Sequence, residues 1–283
     1  MTDAATLSNT PLLSAKSLSV RFGGVLAVNK VSFDVKRGEV FTLIGPNGAG
    51  KTTVFNLISR IYTPTEGALA FDGVNLLAQP AHAIATLGIA RTFQNIELFE
   101  HASVLHNMLV GQHTLRASKS TTSLWREMFF TPSVRASEIA AREKVEHTIE
   151  LLDLQHYRDT MVAGLPYGVR KVVELARALC AEPKLLLLDE PSSGLNVEET
   201  EDMAFWIQDI QRELGITVLM VEHDMTLVSK VSDRVLAMSQ GEVLALGTPR
   251  EVQTHPAVIE AYLGSVDDVS SLRRTASVER TAA

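Results

Sequence analysis

The sequence predicts an α/β fold in which several strands run parallel, and three observations support this. First, the apolar run at residues 40–44 is followed by a glycine-rich segment, residues 45–52, and then by a helical pattern. Second, two further apolar runs, at 184–188 and 216–221, end in acidic or polar residues. Such continuous runs are expected where both faces of a sheet are covered. Third, residues 196–213 have a helical pattern, so strands and helices alternate.

Length, composition and charge restrict the class of protein. With 283 residues, 46% of them hydrophobic and 21% charged, the chain can bury a large core and is not a disordered protein. The net charge of -7 gives no attraction to polyanions, so no nucleic-acid partner is expected. Cys180 is the single cysteine, which excludes an internal disulfide and fits a reducing compartment. Since no apolar run approaches about 18 residues and no signal peptide is evident, we expect a cytosolic chain that meets a membrane only through a partner.

The first part of the chain predicts an antiparallel β section after a loose lead-in at residues 1–14. Hydrophobic residues alternate at 18–22 and 31–35, with glycine-containing turns after each stretch. Residues 67–73 are typical of a strand and a tight turn that return to the same section.

The middle and the end of the chain have a different character. Residues 81–160 carry helical periodicity and predict a mostly helical insert. Within it, the Ser/Thr-rich stretch 112–137 around Trp125 indicates a mobile loop whose aromatic residues pack on the insert, rather than a docking surface. A final hairpin and a short helix ending near Leu263 precede residues 265–283, which lack periodicity and are expected to be disordered.

Residues 45–52 match the spacing G-x-x-x-x-G-K-[ST] in the strand–loop–helix context that this phosphate-binding motif requires. Glycines let backbone N–H groups turn toward phosphate oxygens, Lys51 can bridge the β- and γ-phosphates, and Thr52 can ligate Mg²⁺. A turn that merely joins a strand to a helix would not need the Lys-Thr pair. The predicted nucleotide-binding residues are Gly45, Pro46, Asn47, Gly48, Ala49, Gly50, Lys51, Thr52 and Thr53.

Three residues at strand ends are candidates for the chemistry. Asp189 could hold Mg²⁺ and the adjacent Glu190 could orient and deprotonate an attacking water, although such a pair could also begin a solvated loop. His223 ends the next strand and could contact a γ-phosphate or the water, although a histidine there is more often structural. Phe22, upstream of the phosphate loop, is either a core aromatic or a platform for a purine.

The order of six motifs resembles the nucleotide-binding subunit of ATP-binding cassette transporters. These motifs are residues 45–52, Gln94, 165–171, 185–190, 193–196 and His223, and the resemblance covers about residues 16–264. It implies a P-loop NTPase core with a RecA-like mixed sheet, an antiparallel β subdomain and an inserted helical subdomain at about 88–168. The nucleotide-binding domain would then span 15–264.

The resemblance also implies roles for individual residues in a head-to-tail dimer that encloses two ATP molecules. Phe22 would stack on adenine, while Tyr167 and Gly168 would close on the opposite subunit's ATP. The implied catalytic residues are Gln94, Glu190 and His223, and the implied Mg²⁺ ligands are Thr52, Gln94 and Asp189.

Two departures from the usual family pattern narrow the resemblance to one subfamily. Pro166, Tyr167 and Val169 replace residues of the common Leu-Ser-Gly-Gly-Gln segment, and Asn196 stands where aspartate is usual. These features, with residues 91–94 and 255–264, are similar to ATPase subunits of branched-chain amino-acid importers. That resemblance implies two permease subunits, a second ATPase, a periplasmic binding protein and a place at the cytoplasmic face of the inner membrane.

Other functions stay open at this point. A related system for urea or amide uptake or for lipopolysaccharide export would use the same motifs. A soluble ATPase acting on nucleic acid or ribosomes usually has paired cassettes or coiled-coil arms, and no internal repeat is evident here. A nucleotide-binding switch without hydrolysis is disfavoured by Glu190 and His223.

Overall fold

The structure is a computed structural model that describes residues 10–94, 96–112 and 132–262, without the side chains at 132–134 and 137. The predictions for residues 1–9, for most of the stretch 112–137 and for the tail at 265–283 lie outside this described part. The chain divides into two compact units. The first unit comprises the described residues up to Leu77 and from Val221 onward, and the second is Ala78–Met220.

The first unit contains a four-stranded antiparallel sheet in the order β2-β1-β4-β5. Its strands are β1 (Leu13–Phe22), β2 (Val25–Val35), β4 (Glu66–Phe71) and β5 (Val74–Asn75). This confirms the predicted antiparallel section. The strand β1 starts inside the predicted lead-in, because Leu13 is fully buried and pairs with both Val35 and Phe71.

The first unit also contains parallel strands that carry the phosphate loop. All five residues of β3 (Val40–Ile44) are buried, and β3 pairs in parallel with β9 (Arg234–Ser239). The strand β10 (Glu242–Gly247) pairs antiparallel with β9 and completes the predicted hairpin. The described helices of this unit include α1 (Lys51–Ile58), α6 (Met225–Val231) and α7 (Pro249–Gln253), and residues 256–262 are helical as well. The core face of α1 is formed by Val54, Phe55, Leu57 and Ile58.

The second unit contains two paired parallel strands and four of the described helices. The strands are β6 (Ile89–Arg91) and β7 (Leu185–Asp189), with Ile89 opposite Leu185. A third strand, β8 (Thr217–Val221), begins in this unit, where the Thr217 N–H donates to the Lys184 carbonyl at 3.2 Å. The helices are α2 (Val104–Gly111), α3 (Pro132–Leu151), α4 (Tyr167–Leu179) and α5 (Val197–Arg212). No helix within the described ranges is both long and apolar enough to cross a bilayer.

The strand β6 is a part of the mostly helical insert predicted at residues 81–160 that the sequence analysis did not identify as a strand. It is only three residues long, and of these only Ile89 is fully buried. So short a segment shows no period of its own, and its partner β7 follows far along the chain. The helices α2 and α3 confirm the helical patterns predicted on either side of the stretch 112–137.

The single cysteine is a core residue. Cys180 is 1% exposed, and burial raises the pKa of its thiol to about 12. Because the thiolate is the reactive form, this cysteine is expected to be inert in the folded protein.

Candidate functional site

The phosphate loop joins β3 to α1 through backbone conformations that favour glycine. Gly45, Gly48 and Gly50 have φ values of +149°, +80° and +99°. Gly50 is the N-cap of α1 and, as a glycine, has no side chain that could cap the first turn. The N–H groups of that turn and the positive end of the helix therefore form an anion-binding terminus, as the motif requires.

Lys51 lies over this loop. Its ammonium donates to the carbonyls of Gly45 at 2.6 Å and Pro46 at 3.1 Å, and the residue is 7% exposed. Thr52, the next residue, is exposed in the first turn of α1. A bound triphosphate would offer Lys51 charged acceptors in place of these neutral carbonyls, so the loop is suited to exchange the one set for the other.

We expect Gly45→Ala to destabilise the first unit severely. A Cβ at this position would lie 2.1 Å from the Met238 carbonyl oxygen, and φ is already +149°. Either β3 and β9 must separate or the loop must change path, which should cost more than about 3 kcal/mol. Thermal unfolding measures the loss. Gly24→Ala is the matched control, because a Cβ there meets nothing within 4 Å, and equal melting temperatures for the two variants would contradict the expectation.

The aromatic and histidine candidates also belong to the first unit. Phe22 is 43% exposed, so it is not a core residue, and its ring makes an edge-to-face contact with Tyr62 at 4.9 Å between centroids. The His223 side chain is 59% exposed. The backbone N–H of His223 donates to the buried carboxylate of Glu222 at 2.9 Å, which fixes the chain at the end of β8 while the imidazole faces solvent.

Asp189 ends β7 in a buried ion pair of the second unit. Its Oδ2 lies 2.8 Å from an Arg91 guanidinium nitrogen, and the two side chains are 3% and 9% exposed. Removing one partner of such a pair leaves a buried charge without compensation, so each residue depends on the other. Arg91 was not singled out as a site residue from the sequence. An arginine at the end of a three-residue strand gives no signal of its partner.

Glu190 and Gln94 are brought together in the second unit. The Gln94 amide donates to Glu190 Oε2 at 3.2 Å. Glu190 has φ of +50°, a conformation that is unfavourable for a side chain with a Cβ. Strain of this kind often persists where the position of a side chain is functional, and here it places the carboxylate beside the amide.

The residues that depart from the usual family pattern, Pro166, Tyr167 and Val169, lie at the start of α4. Pro166 is the N-cap, and Tyr167, 47% exposed, begins the helix. A Cβ on Gly168 would lie 2.3 Å from Glu199 Oε1, and one on Gly194 would lie 2.8 Å from the Tyr167 ring. A side chain at position 168 would therefore displace the Glu199 carboxylate, while one at position 194 would meet the Tyr167 ring at a φ of +81°.

Asn196 has a structural role that was not predicted from the sequence. Its side chain accepts from the Glu199 N–H at 3.0 Å, and the Glu199 carboxylate accepts from the Asn196 N–H at 2.9 Å. This capping box starts α5, so asparagine satisfies the helix terminus as well as aspartate would.

The predicted site residues thus fall into two groups. The first unit holds Phe22, the phosphate loop with residues 45–53, and His223, while the second holds Gln94, Tyr167, Gly168, Asp189 and Glu190. No cluster of three or more His, Cys, Asp or Glu residues suited to a metal is found among the described residues. The oxygen atoms of Thr52, Gln94 and Asp189 are nevertheless of the type that Mg²⁺ takes as ligands, since that ion is commonly held by one or two carboxylates together with substrate phosphates.

Two known protein families match parts of this chain. The family described as "ABC transporter" matches residues 28–193, and the family described as "Branched-chain amino acid ATP-binding cassette transporter" matches residues 242–268. Both matches agree with the motif order found in the sequence.

Individual relatives and solved structures resemble most of the chain. The high-affinity branched-chain amino acid transport ATP-binding protein BraF of Pseudomonas aeruginosa is 42% identical over 90% of this chain and 98% of its own length. LivG of Escherichia coli, described in the same words, is 40% identical with the same coverage. A solved ATP-binding cassette in its ADP conformation superposes with a TM-score of 0.77 at 28% identity, covering 90% of this chain and 100% of that one. A nucleotide-free cassette gives 0.76 at 29% identity, covering 89% and 99%.

Proposed function

The chain belongs to the ATP-binding cassette transporter family, and from that premise we propose that it is the ATP-hydrolysing subunit of an importer of branched-chain amino acids. The observation that carries the proposal is a complete phosphate loop in one unit together with a paired Glu190 and Gln94 in the other. The choice of cargo is supported by the names of the relatives and by the match at residues 242–268.

In the proposed reaction the first unit binds ATP, and the second unit activates the attacking water. The amides at the start of α1 and the Lys51 ammonium hold the triphosphate, and Phe22 stacks on the adenine. Glu190 takes the proton of the attacking water, while Gln94 holds the carboxylate of Glu190 by its amide. His223 contacts the γ-phosphate.

Magnesium is expected to accompany ATP. Thr52, Gln94 and Asp189 would hold the ion, which when bound offsets the negative charge of the phosphates. Arg91 contributes to this site by holding the Asp189 carboxylate in place at 2.8 Å. The ion pair therefore fixes the aspartate before any metal arrives.

We further propose that the active assembly contains two cassettes and two permease subunits at the cytoplasmic face of the inner membrane, with a periplasmic binding protein delivering cargo. Tyr167 and Gly168 at the start of α4 would face the second cassette's ATP. Since Pro166 has no N–H, the helix terminus itself must supply the interaction.

The permease is proposed to dock on an apolar surface cavity of about 680 Å³ in the second unit. Phe99 and Val110 are 57% and 48% exposed there. The lining residues are Phe99, Glu100, His101, Ala102, His106, Leu109 and Val110. An exposed apolar patch of this kind is typical of a protein interface, and the permease is the partner that the family supplies.

Reconstitution with two permease subunits and a periplasmic binding protein of the kind proposed tests the function. We expect leucine, isoleucine and valine to stimulate ATP hydrolysis and to enter proteoliposomes, whereas urea should do neither. Uptake of urea or an amide instead would show that the proposed cargo is wrong, while the proposed ATPase activity would stand. If Mg²⁺ and ATP produce no phosphate even in the full assembly, the proposed function is wrong.

A crosslinking experiment tests the docking surface. Phe99→Cys should form a crosslink to a permease subunit in membranes, while the exposed Lys36→Cys in the first unit is the control. Cys180 can be left in place because it is buried. Equal crosslinking of both variants would argue against the cavity as the docking site.

A further inference from the structure

Three charged side chains on one face of α4 turn inward. Lys171, Glu174 and Arg177 are spaced three residues apart, which places them on the same side of the helix. Lys171 and Glu174 are 4% and 2% exposed. Buried charges are costly unless they are paired and hydrogen-bonded, so their partners show what they do.

These partners are backbone groups of the segment that carries Gln94, by which we mean Phe93, Gln94 and Glu97. The Glu174 carboxylate accepts from the Phe93 N–H at 3.1 Å, and the Glu97 N–H also lowers the pKa of this carboxyl group. Arg177 donates to the Glu97 carbonyl. One face of α4 therefore holds this segment by its backbone, independently of the side chains that the segment presents.

Lys171 extends the same contact to the candidate general base. Its ammonium lies 3.4 Å from the Gln94 carbonyl and 3.4 Å from the Glu190 carbonyl. The two residues whose side chains meet at 3.2 Å are thus also joined at their backbones through one cation. Their relative position depends on α4.

The charges of this cluster stabilise one another. Burial raises the pKa of Glu174, while the N–H groups of Phe93 and Glu97 and the charges of Lys171 and Arg177 oppose that rise. Burial lowers the pKa of Arg177, and Glu174 and Glu97 oppose that change. Glu174 is therefore an anion that interacts with both cations.

We propose that Glu174 is a positioning residue: with Lys171 and Arg177 it ties the backbone of the Gln94 segment to α4, so that α4 sets the distance between Gln94 and Glu190. The proposal rests on the proposed ATPase function. It makes α4, whose N-terminus is expected to meet the second cassette, the element that adjusts the water-activating pair.

The first consequence is kinetic. In Glu174→Ala the Phe93 amide loses its acceptor, and the pair Gln94–Glu190 loses its fixed geometry. Misplacement of a catalytic group by about 1 Å can cost about 100-fold, so we expect kcat to fall roughly 10- to 100-fold. The KM and the Kd for ATP should stay within about twofold, since the phosphate loop lies in the other unit.

The second consequence is visible without ATP. Hydrogen exchange followed by NMR or mass spectrometry should show the Phe93 amide exchanging at least tenfold faster in Glu174→Ala, whereas amides within α4 keep their protection. Glu174→Gln retains one acceptor oxygen, so it should restore protection of the Phe93 amide and return kcat to an intermediate value.

Val173→Ala is the matched control, because Val173 is fully buried on the same helix. It should lower thermal stability without changing kcat or the exchange of the Phe93 amide. The proposal is overturned if Glu174→Ala leaves exchange at the Phe93 amide unchanged, or if Val173→Ala reproduces its pattern. Should the alanine variant fail to fold, Glu174→Gln decides by the same two readouts. If Glu174→Ala loses amide protection but the unsubstituted protein never hydrolyses ATP, the contact made by Glu174 is confirmed and the ATPase function is rejected. Failure of the positioning role can therefore be told apart from failure of the proposed function.

Discussion

Replacing Glu190 with glutamine should abolish ATP turnover while leaving ATP binding intact. Glutamine has nearly the same shape as glutamate but cannot accept a proton from water. Because general base catalysis contributes roughly 10²- to 10⁴-fold, kcat for phosphate release should fall by at least about 100-fold. The Kd for ATP should not rise, since the Lys51 ammonium keeps its place over the carbonyls of Gly45 and Pro46.

The geometry around Glu190 indicates that Glu190→Gln leaves the local structure unchanged. The contact of 3.2 Å between Gln94 and Glu190 can persist as an amide–amide hydrogen bond. The backbone already has φ of +50° in the native protein, and glutamine has the same Cβ as glutamate. The substitution therefore changes proton acceptance and charge with little change in shape.

A second readout follows if two cassettes enclose ATP. With binding intact and hydrolysis blocked, the Glu190→Gln protein should elute as a dimer in ATP and as a monomer without it. Glu182→Gln is the control, because Glu182 is an exposed glutamate of the same unit with φ of +47°. Its ion pair with Lys144 lies at the surface and contributes little. Continued hydrolysis by Glu190→Gln would exclude Glu190 as the base.

The parts of the fold that the sequence predicted are those with a strong local pattern. The phosphate loop needs glycines at fixed spacing, and β7 and β8 are continuous apolar runs with all five residues buried. The capping of α5 by Asn196 is likewise a local event between residues three apart. Such features depend on a few neighbouring residues, so one sequence is enough to find them.

The parts that were missed depend on residues far apart in the chain. The Arg91–Asp189 pair joins the ends of two strands nearly one hundred residues apart, and no local pattern announces it. Glu174 lies in an otherwise apolar stretch of α4, which was the available signal for a buried charge. Its partner amides could not be inferred, because hydrogen bonding to backbone is independent of which side chains the partner carries.

Lys51→Ala should have the opposite effect to Glu190→Gln, since it should prevent ATP from binding at all. The ammonium is the one side-chain cation that the phosphate-loop motif supplies, and in the structure it already lies over the loop carbonyls of Gly45 and Pro46. Hydrogen bonds to charged groups contribute about 1.5–3 kcal/mol each, so losing two of them should raise the Kd for ATP by at least about 100-fold.

Folding should survive this substitution, which separates a binding defect from a structural one. The loop carbonyls of Gly45 and Pro46 can accept from water once Lys51 is gone. A loss of about 1 kcal/mol corresponds to a fall of only a few degrees in melting temperature for a chain of this size. A fluorescent ATP analogue measures binding, and thermal unfolding without nucleotide measures stability.

Lys36→Ala is the control for net charge, because it removes one positive charge from an exposed position of the same unit. If the phosphate contacts matter, Lys36→Ala binds ATP normally and Lys51→Ala does not. Lys51→Arg keeps the charge but replaces a compact ammonium with a larger planar group, so it should restore little binding. Equal weakening by Lys36→Ala and Lys51→Ala would mean that long-range charge, and not the position of Lys51 over the loop, determines nucleotide affinity.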